Sequence, residues 1–236
     1  MNSSKDMNNE ESILINGYQH NLYNPNRISE KEMLEKSESF YNWINKRRTV
    51  REFSTEPVPK KVIENIIKSA STAPSGAHHQ PWVFCAVSNP SVKSDLRIAA
   101  EIEEKKGYEY RMNEQWKKDL ERLATNMHKP FLEEAPWIIV VFKKAYDLDE
   151  NGEKHKNYYV NESVGIACGM LISAIHNSGL ATLTYTPSPM NFLAEVLNRP
   201  SNEKAFLVLP VGYPKIPVYV PNLKRKKLDE IAVFYE

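Results

Sequence analysis

Apolar residues recur along this chain with two different periods, and each period predicts a different kind of element. From residue 57 to 71 apolar side chains return every three or four positions, which predicts an amphipathic helix. Ser29 and Glu32 have the spacing of a capping box, so an earlier helix is expected from Ser29 to about Lys46. Further helices are predicted at 91–106, 161–179 and 190–198, and continuous apolar runs predict strands at 82–88, 135–145, 180–186 and 205–214. Helices that alternate with short strands indicate an α+β or α/β domain layered around one sheet.

Four segments add to this outline. Residues 1–28 are polar and Asn-rich and are interpreted as a mobile N-terminal arm, which leaves 29–236 as one domain. Residues 101–129 are dense in charge with few aliphatic side chains, so this segment is either a pair of solvated helices or a lid. The helix 161–179 is apolar nearly all round and rich in small residues, which favours burial on every face, partly against a second subunit. The segment 147–156, DLDENGEKHK, is interpreted as a turn-rich loop.

Composition removes several classes of function. The chain has 236 residues and a formal net charge of +1, so no overall field favours nucleic acid or an anionic membrane. The longest apolar runs have the length of strands, and the first residues lack the apolar core of a signal peptide. Cys85 and Cys168 both lie in apolar segments and are interpreted as buried thiols, so a reducing, cytoplasmic location is expected.

Sequence motifs exclude some chemistry and leave a cluster of cations. No GxGxxG, P-loop, CxxC, HExxH or GxSxG motif is present, and the adjacent His78 and His79 lack a third ligand, so no metal site is predicted. In KRRTVR (46–51), an extended chain would place Arg47, Thr49 and Arg51 on one side, although cations at a helix C-terminus would also explain the cluster. This cluster, the second one at 224–227 and the Pro-Ser-Gly loop at 74–76 could together bind one phosphate.

Several short motifs together carry a resemblance to a known family. In chain order they are RRTVREFS (47–54), TAPSGAHHQPW (72–82), ACG (167–169), LTYTP (183–187), PVGYP (210–214) and LKRK (223–226). From about Ser37 to the C-terminus the chain resembles the nitroreductase superfamily of FMN enzymes. The longer phrases NYYVNESVGIACG, LNRP and VPNLKRKKLD are similar to one branch of it, the iodotyrosine deiodinases. Vertebrate members carry an N-terminal membrane anchor that this chain lacks, which implies a soluble, bacterial-type member.

The resemblance implies a fold, a cofactor and a set of contacts. The expected fold is α+β: a three-layer α/β/α sandwich with a mixed sheet, in a domain-swapped homodimer that exchanges terminal arms and binds one FMN at each end of the interface. Tyr185 stands where the family pattern has a threonine. The expected FMN contacts are Arg47, Arg48, Thr49, Val50, Arg51, Thr184, Tyr185, Thr186 and Arg225. Ser75 and Gly76 are expected to line the flavin from the partner subunit.

The same resemblance implies how a substrate would bind. Glu104 and Tyr108 share a helix face because they are four residues apart, and an exposed helix with incidental charges would explain them equally well. In deiodinases the matching Glu, Tyr and Lys hold an amino-acid zwitterion. Glu104 is then expected to bind the ammonium and Lys129 the carboxylate, beside Tyr108. The backbone N–H of Ala77 is expected to bind the phenolate.

The activity implied is reductive dehalogenation of halotyrosines, from 3-iodo-L-tyrosine to L-tyrosine and iodide. Thr186 is expected to bond flavin N5 and to support stepwise one-electron transfers, with iodo-, bromo- and chlorotyrosine as candidate substrates. The electrons would come from a flavin reductant or an NAD(P)H-dependent (NADPH) reductase. Two alternatives remain: a nitroreductase or quinone reductase of the same fold, and a non-catalytic sensor that binds flavin or tyrosine. Neither a nucleic acid nor a membrane is expected as a partner.

Overall fold

The computed structural model describes residues 12–236, which divide into two compact units at Lys46. The first unit contains a β-hairpin and a helix: β1 (Ser12–Ile15), β2 (Tyr18–Asn21) and α1 (Glu30–Ile44). Asn16 and Gly17 at the hairpin turn have φ angles of 51° and 84°, as a tight two-residue turn requires. Ser29 caps α1 as predicted, because its hydroxyl accepts from the Glu32 N–H at 3.3 Å. The arm predicted at 1–28 includes 1–11, which lie outside the described residues, and the hairpin was not predicted.

The second unit is built on one antiparallel sheet. Its order is β3-β4-β8-β7, and an isolated parallel bridge between Thr49 and Thr182 makes the pairing mixed. The strands are β3 (Trp82–Val87), β4 (Trp137–Lys144), β7 (Ala181–Thr182) and β8 (Glu203–Gly212). The strand predicted at 180–186 is therefore shorter than expected, because only its first residues pair regularly with β8 before a single bridge at Tyr185.

Helices cover both faces of this sheet. Side chains alternate along β4, so that Ile139 and Val141 enter one core while Ile138 and Val140 enter the other. The first core contains α2 (Lys60–Ser71) and α6 (Val160–Asn177), and the second contains α3 (Pro90–Lys106), α5 (Phe131–Glu134) and α7 (Asn191–Val196). The predicted three-layer α/β/α sandwich of the α+β class is thus confirmed for this unit.

The helix α6 is buried on one side of the single chain and exposed on the other. One side, including Val164, Ala167 and Leu171, is fully buried against α2 and the sheet. On the other side Gly165 and Ile166 are exposed in the single chain, and burial of this side against a second subunit stays a prediction. Gly179 ends the helix with a φ angle of 72°, as predicted for a glycine at this position.

Two surface segments complete the unit. The predicted loop at 147–156 contains a short hairpin, β5 (Tyr146–Leu148) with β6 (Lys154–Lys156), whose turn is held by Asp149. The charged segment begins in α3 and continues as a π-helical turn (Gly107–Arg111) and α4 (Glu114–Glu121). After β8 the chain runs as an extended, mostly exposed tail. Among the described residues, no helix is both long and apolar enough to cross a bilayer.

Candidate functional site

A cavity of about 510 Å³ lies within the second unit. Its walls come from four parts of the unit: the first residues (47–51), the charged segment with its flanks (104–131), the residues that follow β7 (183–186) and the tail (221–225). Most of the predicted site residues line it: Arg47, Arg48, Thr49, Arg51, Glu104, Tyr108, Lys129, Thr184, Tyr185, Thr186 and Arg225. Thr184 and Thr186 are exposed while Leu183 and Tyr185 are buried, as expected for alternating side chains in an extended segment.

Four arginines contribute to the wall of the cavity. The tail folds back onto the start of the unit, because Arg225 Nη2 donates to the carbonyl of Arg47 at 3.0 Å and Arg48 Nη2 donates to the carbonyl of Pro221. Burial lowers the pKa of Arg47, and the neighbouring charges of Arg225 and Arg48 lower it further. Burial also lowers the pKa of Arg51.

Like charges gathered in a partly buried wall favour an anionic ligand. Within residues 12–236, Arg47, Arg48 and Arg51 take part in none of the ion pairs, which are formed elsewhere in the chain. Guanidinium groups bind phosphate through paired N–H donors, so this wall could hold the phosphate of a cofactor. The volume lies within the range of about 300–1,000 Å³ that is usual for sites of organic ligands.

A second polar group lines the same cavity. Glu104 is the centre of it: one carboxylate oxygen accepts from the Tyr185 hydroxyl at 3.0 Å, and the other lies 3.3 Å from Lys129 Nζ. Lys129 is only 3% exposed, and its Nζ also donates to Thr125 Oγ1 at 3.4 Å and to the carbonyl of Asn126. The Tyr108 hydroxyl donates to the carbonyl of Thr125 at 3.3 Å.

Burial shapes the protonation of this group. Burial lowers the pKa of Lys129, and the adjacent Glu104 carboxylate opposes that shift. Burial and the charge of Glu104 raise the pKa of the Tyr108 phenol, and the same two causes, in the same order, raise that of Tyr185 much further. Tyr185 and Tyr108 therefore remain neutral hydrogen-bond donors at physiological pH. The ammonium of Lys129 has the Glu104 carboxylate as its partner.

Apolar side chains that the sequence analysis did not name also face the cavity. They come mainly from α4 and its flanks: Met112, Trp116, Leu120 and Leu123. Their spacing of three or four residues is the signal of an amphipathic helix, and it could have been found inside the charged segment. Trp116 is 47% exposed, so this apolar face is only partly covered.

Four predicted residues are not among the described residues that line the cavity. Val50 is buried in the core, and its N–H donates to the carbonyl of Thr182 at 3.2 Å. Ser75, Gly76 and Ala77 lie in a tight turn, where the Gly76 N–H donates to Ser163 Oγ at 3.3 Å. A Cβ atom on Gly76 would lie 2.8 Å from the carbonyl oxygen of Tyr158, so this close approach requires glycine.

The histidines beside this turn bind side-chain amides. His79 Nδ1 lies 2.7 Å from Asn157 Oδ1, and His78 Nε2 lies 2.8 Å from Gln80 Nε2. Asn157 is buried, whereas Gln80 and His78 are at the surface side of the turn. Each histidine thus has its own amide partner, and the two rings do not act as a pair.

Comparison with solved structures aligns this fold with two structures that contain bound FMN. A crystal structure of oxidized iodotyrosine deiodinase bound to FMN and 3-iodo-L-tyrosine aligns with a TM-score of 0.72 and 33% identity, over 84% of this chain and 98% of that chain. A nitroreductase with bound FMN from Bacteroides fragilis aligns with a TM-score of 0.62 over 83% of this chain and 98% of its own. At 19% identity, the second match shows the fold alone.

Comparison of sequences agrees with the structures. The profile of the Nitroreductase family matches residues 44–213. An iodotyrosine deiodinase of Haliscomenobacter hydrossis is 56% identical over 87% of this chain and 92% of its own length. Iodotyrosine deiodinase 1 of Homo sapiens is 46% identical over 91% of this chain and 75% of its own length. The chain therefore belongs to the nitroreductase family, within its iodotyrosine deiodinase branch.

Proposed function

We propose that this protein is an FMN-dependent reductive dehalogenase that converts 3-iodo-L-tyrosine to L-tyrosine and iodide, and that also accepts bromo- and chlorotyrosine. One observation carries the proposal: the cavity lined by the arginine cluster is also lined by Glu104, Tyr108 and Lys129. A nitroreductase or quinone reductase requires only a cofactor site and a space for a flat aromatic molecule. A carboxylate, an ammonium and a phenol beside that space suit an α-amino acid, whose two charges need opposite partners.

Two observations support FMN as the cofactor. Arg47, Arg48 and Arg51 lie in one wall of the cavity without a carboxylate partner among the described residues, which suits a phosphate. The exposed hydroxyl-bearing side chains of Thr184 and Thr186 line the same cavity and offer hydrogen bonds to a flavin ring. The relative of known structure that aligns at 33% identity binds both FMN and 3-iodo-L-tyrosine.

The substrate contacts follow from charge. Glu104 binds the substrate ammonium, Lys129 binds the carboxylate, and Tyr108 donates a hydrogen bond beside them. Both charged groups are more than four-fifths buried, so a ligand meets charges that water reaches poorly. The apolar face of α4 lies over the same space, and the segment 101–129 acts as a lid that excludes water from the aromatic ring.

The chemistry needs a source of electrons and a position for the ring. Reduced FMN, when bound, supplies two electrons, and with one proton they replace the aryl carbon–iodine bond by carbon–hydrogen and release iodide. Thr186 is the residue proposed to hold a hydrogen bond at flavin N5, and the stepwise transfer of single electrons is part of this proposal. An external flavin reductant or NAD(P)H-dependent reductase must restore the reduced cofactor.

A homodimer with exchanged terminal arms completes the proposed enzyme. The exposed side of α6 carries Gly165, Ile166 and Gly169. In the single chain, a Cβ atom added at either glycine would have no neighbouring atom within 4 Å. The tail exposes apolar side chains as well: Tyr219, Leu223, Ile231, Val233, Phe234 and Tyr235. A second copy would cover both surfaces and would bring its Ser75–Ala77 turn to this flavin, where the Ala77 N–H would bind the phenolate.

The free thiols of Cys85 and Cys168 fit a reducing, cytoplasmic location.

The test is iodide release. FMN-loaded protein is reduced with dithionite under anaerobic conditions and mixed with 3-iodo-L-tyrosine, and iodide is measured with an ion-selective electrode. Wild type should release iodide, and both Glu104→Gln and Lys129→Met should slow release from iodotyrosine far more than release from 2-iodophenol, which has no zwitterion. Nitroaromatic reduction without iodide release would identify a nitroreductase, and binding of iodotyrosine without release would identify a sensor. Either result contradicts the proposal.

A further inference from the structure

Tyr185 is a buried side chain of the cavity wall that is held by the sheet and by a neighbouring ring. Its backbone exchanges two hydrogen bonds of 2.9 Å with Val208 of β8, which fixes the residue to the edge of the sheet. Its ring packs edge-on against Phe131, with 5.4 Å between the ring centroids, and only 8% of the residue is exposed. The position of the hydroxyl is therefore set by the sheet and by α5, and not by the charged segment that contains Glu104.

That fixed hydroxyl is bonded to a residue of the proposed substrate site. It donates to Glu104 Oε1 at 3.0 Å, across 81 residues of sequence, while Glu104 Oε2 lies 3.3 Å from Lys129 Nζ. Lys129 Nζ also lies 5.6 Å from the centroid of the Tyr185 ring. The two oxygens of one carboxylate thus have different partners: a neutral phenol held by the sheet and by Phe131, and the ammonium of Lys129.

We propose that Tyr185 is a positioning residue that fixes the Glu104 carboxylate and thereby selects substrates that carry an ammonium group. This inference rests on the proposed function, because it assigns Glu104 to the substrate ammonium. The Oε2 atom of Glu104 faces Lys129. On binding, Lys129 turns to the substrate carboxylate and the substrate ammonium takes its place at Oε2, while Tyr185 keeps Oε1 and prevents the carboxylate from following Lys129.

The two tyrosines Tyr108 and Tyr185 therefore have different roles in this proposal. Tyr108 contributes directly beside the zwitterion, whereas Tyr185 acts only through Glu104. Loss of the Tyr185 hydroxyl leaves the ring packing on Phe131 in place and removes one charge-assisted hydrogen bond from Glu104. Glu104 can then rotate with Lys129, so the site loses its preference for an ammonium without losing its preference for a carboxylate.

Two ligands that differ only in the ammonium group test the role of Tyr185. One is 3-iodo-L-tyrosine, and the other is 3-(4-hydroxy-3-iodophenyl)propionate, which keeps the carboxylate and the iodophenol but lacks the ammonium. Dissociation constants are measured on oxidised, FMN-loaded protein by the change in flavin fluorescence, and KM and kcat follow from iodide release. Tyr185→Phe should raise Kd and KM for iodotyrosine by on the order of tenfold and change those for the propionate by less than about twofold.

Two controls separate the hydroxyl from a general effect on structure. Tyr146→Phe removes another half-buried tyrosine hydroxyl outside the cavity and should leave both ligands unaffected. In a Glu104→Gln background, Tyr185→Phe should add little further loss, because Tyr185 acts through Glu104. Circular dichroism and FMN retention check that each variant is folded.

The outcomes distinguish the inference from the proposed function. If both ligands weaken equally in Tyr185→Phe, or if the loss persists in the Glu104→Gln background, Tyr185 serves packing or the cofactor and the inference is wrong. If neither ligand weakens, the hydroxyl has no positioning role. If wild type binds both ligands with the expected difference but releases no iodide, the proposed reaction fails while the positioning role of Tyr185 stands.

Discussion

Asn157 joins three parts of the chain through one buried amide. Its Nδ2 donates to the carbonyl of Lys144 at 3.0 Å and to Asp147 Oδ2 at 2.9 Å, and its Oδ1 lies 2.7 Å from His79 Nδ1. The side chain therefore ties the hairpin of β5 and β6 to the end of β4 and to the turn that contains Gly76. At 3% exposure the residue has almost no access to water. Every polar atom of this amide depends on protein partners.

Replacing Asn157 should therefore be costly. We expect Asn157→Ala to lower the free energy of unfolding by about 1–3 kcal/mol, because it removes the hydrogen bonds of a buried amide to Lys144, Asp147 and His79. Urea unfolding followed by circular dichroism measures the change. Asn151→Ala is the matched control: this residue is exposed in the hairpin turn and should change stability by less than about 0.5 kcal/mol. Equal midpoints for the two variants would contradict the structural role of Asn157.

At the scale of single residues, the sequence predicted which side chains would converge but not how they pair. A short motif located Arg47, the family resemblance located Glu104 and Lys129, and the structure brings all three to one cavity. The bond between Tyr185 and Glu104 was not predicted, because it joins residues 81 positions apart through the reach of one phenol. Motif comparison assigns residue types to positions, whereas such a bond depends on the packing of the ring against Phe131.

At the scale of elements, α3 and α5 are joined by a network that also fixes the end of the charged segment. Arg97 donates to Glu101 Oε1 at 2.8 Å and to Glu133 Oε2 at 2.7 Å. Glu101 Oε1 also accepts from the backbone N–H of Lys129 at 2.8 Å, and Lys93 Nζ donates to the carbonyl of Glu133 at 2.7 Å. Lys129, the last residue of the segment 101–129, is thus held by Glu101, although the residues before it in α4 are more exposed.

The network predicts a pH dependence of stability. The hydrogen bond from Arg97 lowers the pKa of Glu133 below its usual value. A carboxylate with a lowered pKa in the folded state stabilises the fold above its unfolded pKa of about 4.3, and this stabilisation is lost as the pH falls through the lowered pKa. We expect Glu133→Gln to lower the free energy of unfolding by about 0.2–1 kcal/mol near neutral pH, since the pair is partly exposed, and by progressively less below about pH 4.

Urea unfolding of wild type and variant between about pH 3 and pH 7 measures this difference. Glu134→Gln is the control, because Glu134 is the adjacent residue of α5 and its side chain takes part in none of the ion pairs between described residues. Its effect on the free energy of unfolding should be small. A loss for Glu133→Gln that stays constant down to about pH 3 would show that the charge of Glu133 is not what stabilises the contact.

Elements were predicted well where apolar periodicity is long and poorly where elements are short. The helix α2 and the strand β4 have strong patterns, and both occur where expected. The hairpin of β5 and β6 was missed because three-residue strands such as Lys154–Lys156 have no apolar alternation. The strand at 180–186 was predicted too long, since Thr184 and Thr186 have strand-forming side chains but face the cavity.

At the scale of the whole molecule, the exposed side of α6 predicts the oligomeric state. Ile166 is 47% exposed between glycines, and a charged side chain there would oppose the approach of a second copy. We expect Ile166→Arg to convert a dimer to a monomer in analytical ultracentrifugation and to reduce FMN retention, if the partner supplies the Ser75–Ala77 turn. Asn151→Arg adds the same charge at an exposed turn and should remain dimeric. A dimer in both variants would exclude this side of α6 from the interface.

Whether α6 is covered could not be decided by sequence pattern alone. A helix that is apolar nearly all round predicts burial, but small residues such as Gly165 expose little apolar area even when they face water. The three-layer fold of the single chain follows from periodicity, because each layer is formed by segments of this chain. Coverage of the exposed side of α6 depends on the surface of a second copy, and the periodicity of one sequence does not describe how two copies meet.

The pairing of Lys129 with Glu104 has a consequence for how ligand binding depends on ionic strength. The pair is already neutral, and an amino-acid zwitterion is neutral too, so exchanging partners changes no net charge at the site. Phosphate binding to Arg47, Arg48 and Arg51 instead cancels an excess of positive charge and is weakened by screening. Raising NaCl from about 0.05 to about 0.5 M should weaken FMN binding several-fold and change L-tyrosine binding to the FMN-loaded protein by less than about twofold. A parallel loss for both would mean that Lys129 and Glu104 do not neutralise each other before the ligand arrives.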